Sequence, residues 1–241
     1  MAMNDIGRNP GRIISLWQDF LDVHKTSETI WGVGEPIFPG RKPDELIECQ
    51  IHERLLNLAF GGAPTRFNLA CPYDTSSLPA DVIFESEVSH PLVGGMGSPG
   101  WRLNGGLMGG PLSPSPPEAT THLIARHDLS AMRDLVRTKG REAGVAEHRL
   151  ADVVLAASEI AVNSILYSGG GEMLLWRESD RLQCEFRDWG TIEDPLVGRF
   201  RPKPSERRGR GIWLAHQLAD LVQLRSGPHG TTIRLSFNAG T

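Results

Sequence analysis

The longest regular pattern in the chain is Ala151–Tyr167 (ADVVLAASEIAVNSILY), whose apolar residues recur at helical spacing and predict a helix packed on a core. Glu172–Arg177 and Arg181–Arg187 are strand-like, with Glu178-Ser179-Asp180 as the turn between them. Thr191–Arg208 is rich in Pro and Arg, has few large apolar residues, and reads as a loop. The amphipathic run Ile212–Val222 predicts another helix. Leu221–Arg225 and Thr231–Phe237 predict a closing hairpin around Ser226-Gly227-Pro228-His229-Gly230. In the front half, Pro10–Lys25 reads as a helix, Thr29–Gly34 as a strand and Pro43–Phe60 as an amphipathic helix. Arg66–Cys71 reads as a strand, followed by a short helix near Pro79–Val88. This alternation predicts an α/β unit with a largely parallel sheet. Between the halves, Ser89–Glu118 is loaded with Pro and Gly and lacks apolar periodicity, which predicts a linker. No internal repeat is visible.

Polar residues that interrupt these patterns are the candidates for chemistry. Glu159 and Asn163 stand four apart in the apolar helix, so carboxylate and amide share a face. A carboxylate flanked by Ala156, Ala157, Ile160 and Ala161 is costly to bury without a partner. The pair suits a hydrated Mg²⁺, which takes few protein ligands; a polar stripe at a helix edge is the simpler alternative. Asp188-Trp189-Gly190 ends the second strand. Asp188 there can accept a hydrogen bond from an exocyclic amine such as adenine N6, and Gly190 lets a flat ring approach the backbone. Gly209-Arg210-Gly211 feeds a helix N-terminus, where free N–H groups and the dipole favour an anion, and Arg210 adds a charged donor. Thr231 follows the turn glycine, where its hydroxyl can complete a water-bridged contact to adenine; an ordinary β-branched strand residue is the alternative. Arg199, Arg201, Lys203, Arg207 and Arg208 form a basic group, but the net charge of −4 argues against a nucleic-acid partner.

In the front half, Cys49-x-x-His52 places two soft ligands about one turn apart, with Cys71 on a following strand. A zinc or redox-active thiol cluster is one reading, needing Asp74 or Glu53 as a further ligand; a structural role is the other. His52-Glu53 on a helix also invites a phosphoacceptor reading.

The order E-x-x-x-N (Glu159, Asn163), D-x-G (Asp188, Gly190), G-x-G (Gly209, Gly211) and G-T (Gly230, Thr231) resembles the GHKL ATPase superfamily, with HATPase_c-type nucleotide-binding domains. The short domain and the G-R-G-I-W-L segment look most like its RsbW-like branch, the anti-sigma-factor serine/threonine kinases. His122–Val136 fits that family's opening strand and helix. The resemblance implies a GHKL (Bergerat) α/β sandwich over residues 119–241, with a mixed sheet and helices on one face. It implies ATP and Mg²⁺ as cofactors, with Asn163 holding the metal and Glu159 orienting or deprotonating the attacking hydroxyl. Asp188 and Thr231 would read adenine, Gly190 would make room for it, and Gly209, Arg210 and Gly211 would close on the phosphates. The implied reaction is phosphoryl transfer to a serine of a STAS-type anti-anti-sigma partner, with a sigma factor as second partner and a homodimer as the assembly. Tyr167-Ser168 departs from the His-Gly or His-Ala pair of many relatives, and Pro195, Pro202 and Pro204 are expected to stiffen the lid.

Gly34-Glu35-Pro36, the run Glu48–Glu53 with Leu55-Leu56-Asn57, and Cys71-Pro72-Tyr73-Asp74 resemble the methanogen/methylotroph sensory domain, MEDS. That domain normally begins well upstream, whereas Met1–Arg8 matches its middle. The expectation is a partial sensory domain over residues 1–90, incomplete or stabilised by a partner, then a linker over 91–118.

Three cysteines, spread along the chain, suit a reducing cytoplasm better than a disulfide scaffold. No apolar run of about 18 residues predicts a membrane span, and the N-terminus lacks a signal-peptide core. Three functions stay open: a kinase that also sequesters a sigma factor, a module that binds nucleotide and partner without transfer, and a histidine kinase fragment using His52.

Overall fold

Strand–helix alternation in the front half produces a β–α–β unit, described here in a computed structural model covering residues 7–62, 66–98, 109–203 and 209–240. The chain divides into two compact units, Met1–Gly109 and Gly110–Thr241. In the first, α1 (Ile13–Val23) precedes β1 (Thr29–Val33), α2 (Pro43–Phe60), β2 (Arg66–Ala70) and α3 (Ala80–Ser89). β1 and β2 pair in parallel, from Thr29 opposite Arg66 to Val33 opposite Ala70. A parallel pair needs a long crossover, and α2 supplies it. Pro43 opens α2 without wasting an amide, and the Glu45 carboxylate accepts from the Lys42 N–H at 3.2 Å, an N-terminal cap. Gly32 has no side chain because the Trp17 ring lies there; a Cβ would come within 2.7 Å of it. Ile37, Cys49, Leu78 and Val82 form a buried cluster. Arg41 is buried but satisfied: it donates to the carbonyls of Gly7, Arg8 and Pro36 and stacks over Phe38 at 4.5 Å.

Within the stretch expected to be linker, β3 (Leu92–Val93) and β4 (Met96–Gly97) form a minimal hairpin over Gly94 and Gly95, both at positive φ. Residues 110–118 belong to the second unit. They are held by arginines: Arg225 Nε donates to Gly110 O at 2.6 Å, Arg234 to Ser113 O at 2.6 Å, and Arg187 to Ser115 Oγ at 2.9 Å.

The second unit continues with β5 (Thr120–Ile124), α4 (Leu129–Ala143), α5 (Leu150–Ser168), β6 (Gly171–Glu178), β7 (Arg181–Asp188), α6 (Arg210–Leu218), β8 (Leu221–Gly227) and β9 (Gly230–Asn238). The strands form one sheet in the order β5-β6-β7-β9-β8. The α/β class and sandwich stand, but every pairing is antiparallel, not mixed. Connection length accounts for two of the four pairings: β6–β7 and β8–β9 are joined by tight two-residue turns, which serve only antiparallel neighbours.

Register sorts the side chains onto two faces. Met173, Phe186 and Ile233 lie in one row and Leu175, Cys184 and Leu235 in the next, all nearly inaccessible to solvent. On the same face Leu182 lies 3.9 Å from the Cβ position of Gly140 in α4, so this face carries the helices. Buried Val153, Ala157, Ile160 and Ala161 of α5 pack in this layer. The opposite face carries a polar row. Arg234 Nε donates to Glu185 at 2.7 Å, Ser236 Oγ to Gln183 at 2.6 Å, and the Arg234 guanidinium lies 5.0 Å from the Trp176 ring centre. Glu147–Ser168, ending in α5, is the segment among the described residues that is long and apolar enough to cross a membrane. The sequence reading overlooked it because Asp152 and Glu159 break the run; its buried residues are those of the domain core.

Candidate functional site

α5 delivers Glu159 and Asn163 to one side, as their spacing requires. Both are half-buried, and the first turn of α6 rests on them. At Gly211 a Cβ would lie 2.9 Å from Asn163 Nδ2, 3.0 Å from Glu159 Oε2 and 3.4 Å from Asn163 Oδ1. The absence of a side chain lets the α6 backbone come this close with Asn163 and Glu159 in place. Gly209 caps α6 at φ +82°, a left-handed conformation that favours glycine. The amide-rich start of α6 therefore adjoins a carboxylate and a carboxamide. That arrangement has the chemistry a metal–phosphate group calls for: N–H donors at the α6 N-terminus, a carbonyl oxygen on Asn163 and a carboxylate on Glu159.

The second part of the site lies at the end of β7. Asp188 Oδ2 accepts from Ser164 Oγ at 2.6 Å; Oδ1 accepts from Ser168 Oγ and from the Gly190 N–H, both at 2.8 Å. Oδ2, with one accepted bond, keeps a lone pair for an external amine. Directly across the ladder, Thr231 pairs with Asp188 and donates its hydroxyl to Gly190 O at 2.7 Å; Ser226 Oγ lies 2.8 Å from Thr231 Oγ1. A Cβ on Gly190 would meet Ser168 Oγ at 2.4 Å, so this glycine makes room for the serine hydroxyl as well as leaving its backbone open.

Beside Glu159, α4 and α5 bound a groove of about 370 Å³ lined by Arg133, Arg137, Val154, Leu155, Ser158 and Val162. Arg133 Nε donates to Ser158 Oγ at 3.1 Å. Glu159 thus stands between this groove and the α6 terminus. Arg210 reaches the Lys203 carbonyl at 3.4 Å. Of the basic group, Arg199 is buried while Arg201 and Lys203 are exposed, so these three do not form a continuous cationic surface. Arg207, Arg208 and Pro204 lie outside the described residues.

The structure does not assemble Cys49, His52 and Cys71. Cys49 is in the core, its Sγ donating to Pro36 O at 3.4 Å, and burial pushes its thiol up to about 12. His52 is 1% exposed, out of reach of a phosphoryl donor. Cys71 instead lies with Glu53 and His90. Sequence reasoning also missed Ser164, Ser168 and Ser226. Ser168 carried a faint signal, since it stands where the motif departs from its relatives.

Residues 125–237 match the family described as Histidine kinase-like ATPase domain, and residues 1–91 match the MEthanogen/methylotroph, DcmR Sensory domain, MEDS. A search of curated proteins found no match. A crystal structure of the RsbU and RsbW domains of a Mycobacterium tuberculosis protein is similar at 21% identity with a TM-score of 0.38, over 52% of this chain and 33% of that one. The matched part of that structure is about a third of its length.

Proposed function

We propose that this chain, which joins a MEDS sensory domain to a histidine kinase-like ATPase domain, is a partner-switching regulator that binds ATP with Mg²⁺ and phosphorylates a serine of an anti-anti-sigma partner. In the reading's full form it also sequesters a sigma factor, acts as a homodimer and works in the cytoplasm. The observation that carries it is Gly211, at the start of α6, seated against both Glu159 and Asn163.

Asn163 would hold the metal through its amide oxygen, and the α6 N–H groups and Arg210 would hold the phosphates. Asp188, through the free lone pair on Oδ2, accepts from the base, with Thr231 and Gly190 closing the other side. Bound Mg²⁺ supplies neutralisation of phosphate charge. Glu159 orients the incoming hydroxyl and takes its proton, and the groove between α4 and α5 offers a route for that hydroxyl. Phosphoryl transfer asks mainly for positioning and charge compensation, so this short set suffices.

Calorimetry tests the reading. ATP is titrated with and without Mg²⁺ into the wild type, Asn163→Ala and Glu159→Ala. Mg²⁺-dependent binding that Asn163→Ala loses and Glu159→Ala keeps is the expected pattern. Absence of binding under both conditions overturns it and leaves an ATPase fold used as a protein-binding scaffold.

A further inference from the structure

We propose that Glu53, Cys71 and His90 form a transition-metal site in the N-terminal unit, suited to Zn²⁺ and leaving one coordination position open to water or a small ligand. The three come from separate elements, two of them from element ends. Glu53 is on α2, Cys71 directly follows β2, and His90 directly follows α3. One donor atom from each, a sulfur, an imidazole nitrogen and a carboxylate oxygen, lies within 4.8 Å of the other two. This mixed soft and borderline donor set selects zinc-like ions over Mg²⁺ or Ca²⁺.

Two further observations point to a ligand. Glu53 is 1% exposed, and its Oε1 has no hydrogen-bond partner among the described residues. The second is the state of His90. Its Nδ1 lies 2.8 Å from Ser86 O, a carbonyl that can only accept, so Nδ1 carries the proton. In the neutral ring Nε2 then presents a lone pair, and it lies 4.0 Å from the same Glu53 Oε1. A lone pair facing an unpartnered carboxylate oxygen calls for a cation between them. Glu53 Oε2 accepts the Tyr73 hydroxyl, which fixes the carboxylate as outer partners of metal ligands do. Cys71 and His90 are only half-buried, so the open position has access to solvent. Ligands of a tetrahedral zinc lie roughly 3.3–3.8 Å apart given bonds of about 2.0–2.3 Å. Binding therefore closes the 4.0 Å between His90 Nε2 and Glu53 Oε1 by about 0.5 Å. Cys71 loses its thiol proton to solvent as the Zn–S bond forms.

The full chain, stripped with a chelator and dialysed, is titrated with Co²⁺ alone as an optical probe of zinc sites. The expected result is one equivalent bound, with thiolate-to-cobalt charge-transfer absorption that Zn²⁺ abolishes by displacement. Cys71→Ser removes the charge-transfer band and His90→Gln weakens binding at least tenfold, while Cys49→Ser keeps both. Tyr73→Phe lowers affinity by roughly 10-fold through the outer shell. Circular dichroism establishes that each variant is folded, and either Cys71→Ser or His90→Gln, if folded, decides the matter. Absence of a charge-transfer band in the wild type overturns the proposal. So does a band that survives Cys71→Ser.

Discussion

Replacing Gly211 by alanine tests whether the close approach of α6 to α5 serves the nucleotide or merely the packing. The new Cβ would lie 2.9 Å from Asn163 Nδ2 and 3.0 Å from Glu159 Oε2, both inside normal contact distance. The opposing atoms are ends of flexible side chains, so in the free protein both can swing aside. An off-rotamer side chain costs about 0.5–1.5 kcal/mol. Alanine inside a helix returns about 0.8–1.0 kcal/mol relative to glycine, and Gly211 is not among the positive-φ glycines, so its backbone admits a side chain. With two side chains displaced the cost is about 1–3 kcal/mol, so the net loss of stability should be about 2 kcal/mol or less, a melting shift of at most roughly 6–10 °C for a domain of this size. Nucleotide binding has no such compensation, because it needs Asn163 in the place that the methyl group now crowds. Losing one oriented polar contact to the metal–phosphate group costs at least about 1.4 kcal/mol, a tenfold weaker Kd. The assay is ATP calorimetry with Mg²⁺ beside a thermal melt. Unchanged affinity refutes the reasoning, since the site would then lie elsewhere. A collapse of the melting temperature by more than 10 °C refutes it differently, by making Gly211 a packing glycine.

Asp188→Ala removes the acceptor of Ser164 Oγ, Ser168 Oγ and the Gly190 N–H together; we expect a loss of about 2–4 kcal/mol in urea unfolding and of any preference for ATP over GTP in competition titrations. Thr231→Val leaves Gly190 O and Ser226 Oγ without their partner, which should weaken ATP binding several-fold while costing only about 1 kcal/mol of stability. Hydrogen bonds from Ser76 and Ser77 lower Asp74 from 3.8 to about 2. Its stabilising effect is present above pH 3.8 and lost as the pH falls through about 2. Acid unfolding followed by circular dichroism should therefore begin at higher pH in Ser76→Ala/Ser77→Ala, and an unchanged acid limb would show that the turn is immaterial. Burial raises the thiols of Cys49 and Cys184 far above neutral pH, so at most one of the three cysteines should react with a disulfide reagent at pH 8 before unfolding, and more than one would contradict the buried placement.

What could be seen in the sequence was local. Glu159 and Asn163 sit a helical turn apart, so one amphipathic run revealed both the helix and the face they share. Gly209 and Gly211 stood at a helix start for the same reason. The hairpins were legible because alternation and turn residues lie within a dozen positions of each other. Contacts between remote segments were not. Thr231 and Asp188 meet through the β7–β9 register, which neither strand's own pattern announces; only the family resemblance put both at one base. Residues 110–118 have no apolar periodicity because they are held by arginine bonds to carbonyls and a serine hydroxyl, which leave no hydrophobic signature. The cysteines show how local reasoning misleads. Cys49-x-x-His52 has ligand-like spacing but turns into the core, whereas Glu53, Cys71 and His90 have no common spacing and converge because the ends of β2 and α3 meet the middle of α2.

The way α5 carries the site explains why so few residues are needed. Glu159, Asn163, Ser164 and Ser168 are stations on one helix, the first two against the α6 terminus and the last two on Asp188. Nine residues at 1.5 Å each separate Glu159 from Ser168 by about 13.5 Å. A single rigid rod therefore sets the distance between the phosphate end of the site and the base end. Ala156, Ala157 and Ala161 hold that rod close to the sheet without bulky side chains that would tilt it. A change that lengthened or kinked α5 between Asn163 and Ser168 would leave each contact chemically intact but put the two ends out of step. An alanine inserted after Ser164 turns the following residues by about 100° and should abolish ATP binding. Alanine substitution at exposed Leu166, which keeps the spacing, should leave binding within a factor of about two. Equal binding by both variants would mean that α5 does not set the span and that the two halves of the site act separately.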